Sequence, residues 1–432
     1  MNLAETFRRI GYYTVDYCKG KPVRKHLDEL RLSNGNPDSI EALRKQRLND
    51  LVQHAISTTK HYKDYRISSD LCELPVINKT DVRKRYDDFI SDKYKKEELV
   101  PVTTSGSYGT PFTFYLTKEK KARQTAEVLY YGEWAGFYIG MKHGYIRVTK
   151  KSDLSLFLQN QHLMNPINLD NTWLEAQRND LKKKKLKVII GYPSAMTALG
   201  HYCKERGDRP EEFNLTSFIS TSEPILKDSA DVISDTFGCK VYNRYSTEEF
   251  GVIAAECTIN YGYHINESSY IVEMLSLDKD EPVSDGKVGR IIVTDLFSHA
   301  MPLIRYDTGD IGIRQRSCSC KIAGPVFINI EGRQVESVFT PEGKRISPFA
   351  INGAMRDLDG ILQFQFVQKT KKSYELMLVC TDKFIDNTEE KIMKRFREIL
   401  GENAKISVTY KNTISPQRSG KRPYIRSEIH NK

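Results

Sequence analysis

No run of eighteen apolar residues occurs in this chain of 432 residues, and 28% of its residues are charged. An apolar membrane-spanning helix is thereby excluded, and a soluble protein is expected. The opening residues, Met1-Asn2-Leu3-Ala4-Glu5, lack a basic region followed by an apolar block. No secretory leader is expected, and a cytoplasmic location is. There is no G-x-S-x-G elbow, which argues against a serine hydrolase of that type. No nucleic-acid module pattern is visible despite a net charge of +10, so no nucleic-acid partner is expected. Eight cysteines in a cytoplasmic chain are not a disulfide framework.

What is present begins with the run Thr103-Thr104-Ser105-Gly106-Ser107-Tyr108-Gly109-Thr110-Pro111. Hydroxyls donate to phosphate oxygens, and glycines let backbone N–H groups approach an anion closely. The Walker pattern is absent, because no lysine follows Gly109 and no helix signal opens there. A Walker-type kinase is therefore disfavoured. The alternating segment Phe112-Thr113-Phe114-Tyr115-Leu116 predicts a hairpin or strand instead. Taken alone, such a hydroxyl-rich cluster is usually a surface turn.

Four further segments give the loop its partners. Glu248 and Glu249, in Tyr245-Ser246-Thr247-Glu248-Glu249-Phe250-Gly251, supply adjacent carboxylates of the kind that hold magnesium together with phosphate oxygens. Asp310, in Arg305-Tyr306-Asp307-Thr308-Gly309-Asp310, follows a strand-like segment; an aspartate at a glycine turn can accept from both hydroxyls of a ribose. Glu331-Gly332-Arg333 and Ser415-Pro416-Gln417-Arg418-Ser419-Gly420-Lys421-Arg422 complete the set.

In this order, from about residue 60 to the C-terminus, the five segments resemble the adenylate-forming enzymes (acyl-CoA synthetases, adenylation domains and luciferase). The branch they are most similar to is that of phenylacetate–CoA ligase and the capsule-biosynthesis CapK-type proteins. The resemblance implies an α/β fold: a large layered N-terminal domain over residues 1–332 and a small, mobile α+β C-terminal domain over 333–432. It implies that Thr104, Ser105, Gly106, Ser107, Gly109 and Thr110 hold the β- and γ-phosphates of ATP. Glu249 would carry Mg2+, Ser222-Glu223-Pro224 would line the adenine pocket, and Tyr245 would stack on the base. Asp310 would bind the ribose and Arg333 the ribose or phosphate, while Lys421 would bridge the carboxylate substrate and the α-phosphate. Departures from the family pattern are Tyr108, Thr110, Ser246, Glu248 and, two positions after Arg333, Val335, which bears on the hinge.

The activity so implied joins a small carboxylic acid to AMP and passes the acyl group to CoA, a carrier thiol, or an amine or hydroxyl acceptor, in surface-polysaccharide biosynthesis. An aryl- or acyl-CoA ligase of small-acid metabolism is the alternative within the class, and a non-catalytic nucleotide-binding scaffold the alternative outside it. Bringing a carboxylate to a polyphosphate opposes two anions, so catalytic power must come from positive charge, which Lys421 and the magnesium at Glu249 would supply. A homodimer is an open expectation.

Cys257, His264, Cys318 and Cys320 form a separate group: C-x6-H and, sixty residues on, C-x-C. Three thiolates and an imidazole would complete a tetrahedral structural zinc site. The surrounding sequence resembles a region of phenylacetate–CoA ligase relatives, some of which carry such a metal; buried, unligated cysteines are the other reading. Cys18, Cys72, Cys203 and Cys380 read as small core residues.

The first hundred residues read as helical and basic, with Leu48, Leu51, Val52, Ala55 and Ile56 on one buried face. Between 120 and 240, apolar runs at 187–191 and 217–220 alternate with helical patterns, as in an α/β layer. Tyr130, Tyr131, Trp134, Phe137 and Tyr138 fall on a predicted helix and read as packing, although in the resembled family Tyr131 and Trp134 would border the acyl pocket. After Arg333, strands are predicted at 361–368, 374–380 and 404–410, with Asn387 capping a helix whose apolar face is Ile392, Met393, Phe396, Ile399 and Leu400. The basic run Lys182–Lys187 reads as a solvated helix face or as a site for peripheral binding to an anionic membrane surface.

Overall fold

The computed structural model describes residues 3–33, 37–66, 71–104, 112–167, 169–223, 225, 227–259, 261–320, 322–331, 338–346, 348–355, 358, 360–380, 384, 386–415 and 423–429. It is mixed α/β with a large sheet, and the chain forms two compact units. The first comprises residues 1–143, 151–162 and 242–330; the second comprises 144–150, 163–241 and 331–432.

In the first unit the strands Tyr270–Leu275, Val288–Asp295, Tyr306–Gln315, Val326–Glu331, Tyr263–Ile265 and Gly251–Glu256 lie side by side in that order, followed by residues 242–247. Their inward faces join Leu48, Leu51, Val52 and Ala55 of the helix Pro37–Thr58 in one apolar core, so the predicted helical stripe is buried. The short strand Ile77–Asn78 pairs in parallel with Tyr306–Asp307. Asn78 then turns the chain into the helix Lys79–Lys84: its Oδ1 accepts from the Thr80 and Asp81 amides, and Asp81 accepts from the Asn78 amide in return. Such a reciprocal cap satisfies two of the amides a helix start leaves without partners.

In the second unit Val188–Gly191 and Ser217–Ser220 run parallel and are buried at every position, as expected of strands covered on both faces. The helices Asn171–Lys184, Pro193–Glu205 and Lys227–Phe237 share an apolar core with these strands. The C-terminal residues add a four-stranded sheet in the order Lys405–Tyr410, Ser373–Cys380, Ile361–Gln368, Ile425–Ser427. Phe364, Phe366, Leu376, Ile392, Phe396 and Leu400 give this sheet and its helices a core of their own.

Some details differ from the sequence reading. The helix Lys118–Trp134 stops before Phe137 and Tyr138, because Gly136 takes a left-handed φ of 78°. The helix Asp386–Leu400 begins two residues earlier than a cap at Asn387 implies, so Asn387 lies inside its first turn. Cys18 and Cys72 are exposed; only Cys203 of the four supposed core cysteines is fully buried. Lys182 is tied to Asp208 and Glu212 at 2.6 Å each. No helix among the described residues is long and apolar enough to cross a membrane.

Candidate functional site

Tyr245 and Asp310, 65 residues apart in the chain, meet: the phenol donates to Asp310 Oδ2 at 2.6 Å. A bulge brings the aspartate there. On the strand Tyr306–Gln315, Asp307 faces Ile292 and Ile311 faces Arg290, so Thr308, Gly309 and Asp310 together oppose Ile291. Gly309 permits this with a φ of 77°. The loop is pinned internally: the Gly309 amide donates to Asp307 Oδ1 (2.8 Å), the Asp310 amide to Thr308 Oγ1 (3.1 Å), and Arg290 holds Asp307 Oδ2 at 2.7 Å. Burial, then the negative charge of Asp310, raises the Tyr245 pKa well above the usual phenol value; Glu249 acts in the same direction. Asp310 is thus bonded to Tyr245, and Glu249 lies within electrostatic reach of the same phenol.

Glu249 lies in a turn that is held from beneath by the helix Lys118–Trp134. Gln124 Nε2 donates to the carbonyls of Glu248 (3.1 Å) and Glu249 (3.4 Å). The Tyr270 hydroxyl donates to the Phe250 carbonyl, and Glu127 Oε2 accepts from the Val252 amide at 3.1 Å. Gly251 has a φ of 106°, and a Cβ there would lie 2.5 Å from Glu127 Oε2, so the close approach requires glycine. Behind this clamp Lys120 pairs with Asp295 at 2.7 Å, and Arg123 donates to Glu29 Oε1 at 2.7 Å and to Ser269 Oγ at 2.9 Å. Lys120, Arg123, Glu127 and Asp295 are each 0% exposed. Burial raises the pKa values of Glu127 and Asp295, against the pull of the neighbouring Lys120 and Arg123. Sequence reasoning missed this network. Residues 120, 123, 124 and 127 recur at i, i+3, i+4 and i+7, the spacing of a core stripe, but they are Lys, Arg, Gln and Glu.

The strands Val100–Thr104 and Phe112–Leu116 form an antiparallel hairpin in which Thr104 faces Phe112. The rest of the hydroxyl-rich loop, Ser105, Gly106, Ser107, Gly109 and Thr110, lies outside the described residues between these paired ends, as do Pro224, Arg333, Val335 and Lys421. In the second unit Ser222 has a φ of 73°, a left-handed conformation that a non-glycine residue adopts only when its surroundings enforce it. Its neighbour Glu223 accepts from the Ser194 amide at 3.2 Å, at the start of the helix Pro193–Glu205. Burial, followed by the Glu223 carboxylate, raises the pKa of Tyr424, and Ser229 is its hydrogen-bond partner. Tyr424 thus lies within electrostatic reach of the predicted adenine-pocket residue Glu223.

Cys257, His264, Cys318 and Cys320 converge, with their ligand atoms all within 4.8 Å of one another. Cys257 Sγ lies 3.8 Å from Cys318 Sγ, close to the ~3.8 Å edge of a tetrahedron with zinc–sulfur bonds of about 2.3 Å. His264 Nε2 lies 3.1 Å from Cys320 Sγ. The Cys320 amide donates to Cys318 Sγ and the Ile322 amide to Cys320 Sγ, both at 3.3 Å, as suits thiolate character. Burial lowers the His264 pKa to about 4, which keeps the imidazole neutral and able to ligate. The donor set therefore fits a zinc ion. Trp134 packs edge-on against the His264 ring, with centroids 5.9 Å apart, and Tyr131 packs on Trp134 at 5.0 Å.

Residues 338–428 match the family described as the CapK C-terminal domain. The chain is 28% identical over 340 residues to a phenylacetate–coenzyme A ligase of Thermus thermophilus, covering 70% of this chain and 75% of that protein. It is 22% identical to Protein CapK of Staphylococcus aureus, covering 96% of this chain and 94% of the other. Its fold matches that of a 2-hydroxyisobutyryl-CoA ligase solved in the postadenylation state with an acyl-AMP, with a TM-score of 0.74 at 18% identity over 92% of this chain and 90% of that one. The fold is that of the adenylate-forming ligases. Over most of its length this chain is similar to CapK and to the phenylacetate–CoA ligases, and its residues 338–428 match the CapK C-terminal domain.

Proposed function

We propose that the protein activates a carboxylic acid with ATP and transfers the acyl group to the thiol of CoA. The carboxylate oxygen attacks the α-phosphorus, the bond to the bridging oxygen of the β-phosphate breaks, and pyrophosphate leaves. The thiol then attacks the acyl carbon, and AMP departs. The single observation that carries this reading is the Tyr245–Asp310 bond beside Glu249, which joins the proposed base, ribose and metal positions in one place.

Thr104, Ser105, Gly106, Ser107, Gly109 and Thr110 would cradle the β- and γ-phosphates. Ser222, Glu223 and Pro224 would line the adenine pocket, Tyr245 would pack on the base, Asp310 would orient the ribose, and Arg333 would meet ribose or phosphate. The adjacent oxygen donors Glu248 and Glu249 suit magnesium, which when bound supplies charge against the departing pyrophosphate. Lys421, carried by the C-terminal domain (333–432) past a hinge at Arg333, would neutralise both anions. Tyr131 and Trp134 would border the acyl group. Cys257, His264, Cys318 and Cys320 would hold a structural zinc, with metal analysis of natively purified protein giving close to one equivalent; under about a tenth of an equivalent would remove it. Likeness to CapK-type proteins supports the finer reading of an amine or hydroxyl acceptor in surface-polysaccharide assembly.

Pyrophosphate release across a panel of carboxylic acids, with and without CoA, tests the reading. Acid-dependent release is expected, with thioester formed when CoA is present. No acid-dependent release under any condition would leave only nucleotide binding.

A further inference from the structure

The helix Leu3–Cys18 is amphipathic in the inverse sense. At 100° per residue its exposed positions span an arc of roughly 160°. Among the described residues that arc carries no charged side chain, whereas Leu3, Phe7, Ile10 and Val15 on it are 79, 71, 56 and 54% exposed. The charged residues of the helix point the other way and are engaged. Glu5 accepts from the Lys142 amide and the Tyr138 hydroxyl, and Asp16 accepts from the amides of Val23 and Arg24. Arg8 donates to the Phe157 carbonyl and lies over the Phe157 ring at 4.9 Å. This ties the first helix to Asp153–Gln159, where Leu154, Phe157 and Leu158 are again exposed.

Beside the apolar arc runs an open groove of about 530 Å³ lined by Arg9, Tyr13, Tyr17 and Arg24, among others. Its net charge is positive: between residues 3 and 28 the carboxylates are the buried Glu5 and Asp16 and the half-buried Asp28, which pairs with Arg24 at 2.9 Å, against the exposed Lys19, Lys21, Arg24 and Lys25. Apolar side chains beside tyrosines and arginines suit the boundary between lipid headgroups and acyl chains. A symmetric dimer through this face would set the cations against their own copies, whereas an anionic surface would neutralise them. We infer that this face docks the protein on an anionic phospholipid membrane, with Phe7 and Ile10 entering the acyl boundary and the arginine–tyrosine groove taking phosphate headgroups.

The test is co-sedimentation of the full chain with vesicles of phosphatidylcholine containing about one-third phosphatidylglycerol, against pure phosphatidylcholine. Binding is expected to be at least about tenfold stronger to the anionic vesicles and to weaken with salt. The double variant Phe7→Asp, Ile10→Asp should lose binding by about tenfold or more, with pyrophosphate release and thermal melting unchanged, since both side chains are exposed. Lys183→Glu on another helix lowers the net charge by the same two units and should retain binding. Absence of binding to anionic vesicles at low salt overturns the inference, as does equal loss in both variants. A dimer in light scattering that Phe7→Asp, Ile10→Asp dissociates, without vesicle binding, assigns the face to a second copy and also overturns it.

Discussion

At the scale of single residues, Tyr245 and Lys421 stand for two kinds of contribution. Tyr245 donates one hydrogen bond to a carboxylate that itself has a proposed ligand. Hydrogen bonds to charged groups are worth about 1.5–3 kcal/mol, so Tyr245→Phe should raise the KM for ATP by about tenfold or more and, because the bond is present without nucleotide, should also lower the melting temperature. ATP–pyrophosphate exchange measured against ATP concentration checks this, and an unaltered KM would detach Tyr245 from the nucleotide. Lys421 has a different task, because its charge matters most while two anions are closing on each other. Lys421→Ala should cost about 10²–10³ in exchange rate while ATP binding remains measurable by calorimetry. Exchange at the unmodified rate would take Lys421 out of the chemistry.

At the scale of elements, the helix Lys118–Trp134 is where reading and structure part. Regular elements were legible wherever one periodicity dominated: the buried runs 188–191 and 217–220, the C-terminal strands, and the apolar stripe from Leu48 to Ala55. The Tyr245 and Asp310 segments were legible because turn glycines and carboxylates mark them locally. Lys120, Arg123, Gln124 and Glu127 were not, because charged residues at helical spacing ordinarily face water, and their burial depends on partners 94 to 175 residues away. Through Gln124 this buried stripe holds the main chain of the Glu249 turn, which makes Gln124 a positioning residue. Gln124→Leu keeps the volume but frees two carbonyls, at a cost of about 1–3 kcal/mol. Loosening the turn should raise the magnesium concentration for half-maximal exchange by about three- to tenfold, beyond any change in kcat at saturating magnesium. A purely structural role would lower melting and leave the magnesium dependence where it was.

At the scale of the whole molecule, the sequence reading identified the two kinds of layer but not the ties that fasten the helices of the second unit. The basic run Lys182–Lys187 illustrates why: read linearly it is a solvated or membrane-facing stripe, yet its first lysine is bound to acids supplied from beyond the helix Pro193–Glu205. Asp208 is the hub. Arg178 reaches it through Nε and Nη2 at 2.5 and 2.6 Å, and Lys182 through Nζ at 2.6 Å. Hydrogen bonds from Arg178, against the cost of burial and with help from Lys182, lower its pKa from 3.8 to about 2. A carboxylate whose pKa is lower in the folded state favours folding above its unfolded value, and that contribution disappears as pH falls through the folded value. Asp208→Asn should therefore destabilise the protein by about 1–2 kcal/mol at neutral pH, since the Asp208 side chain is only 3% exposed. The gap between variant and parent should stay constant down to about pH 4 and close between about pH 4 and pH 2. Denaturant midpoints measured for both proteins across that range check the sign: a gap that widens on acidification would mean that Asp208 is held protonated, and the ion pairs would not be what fastens these helices.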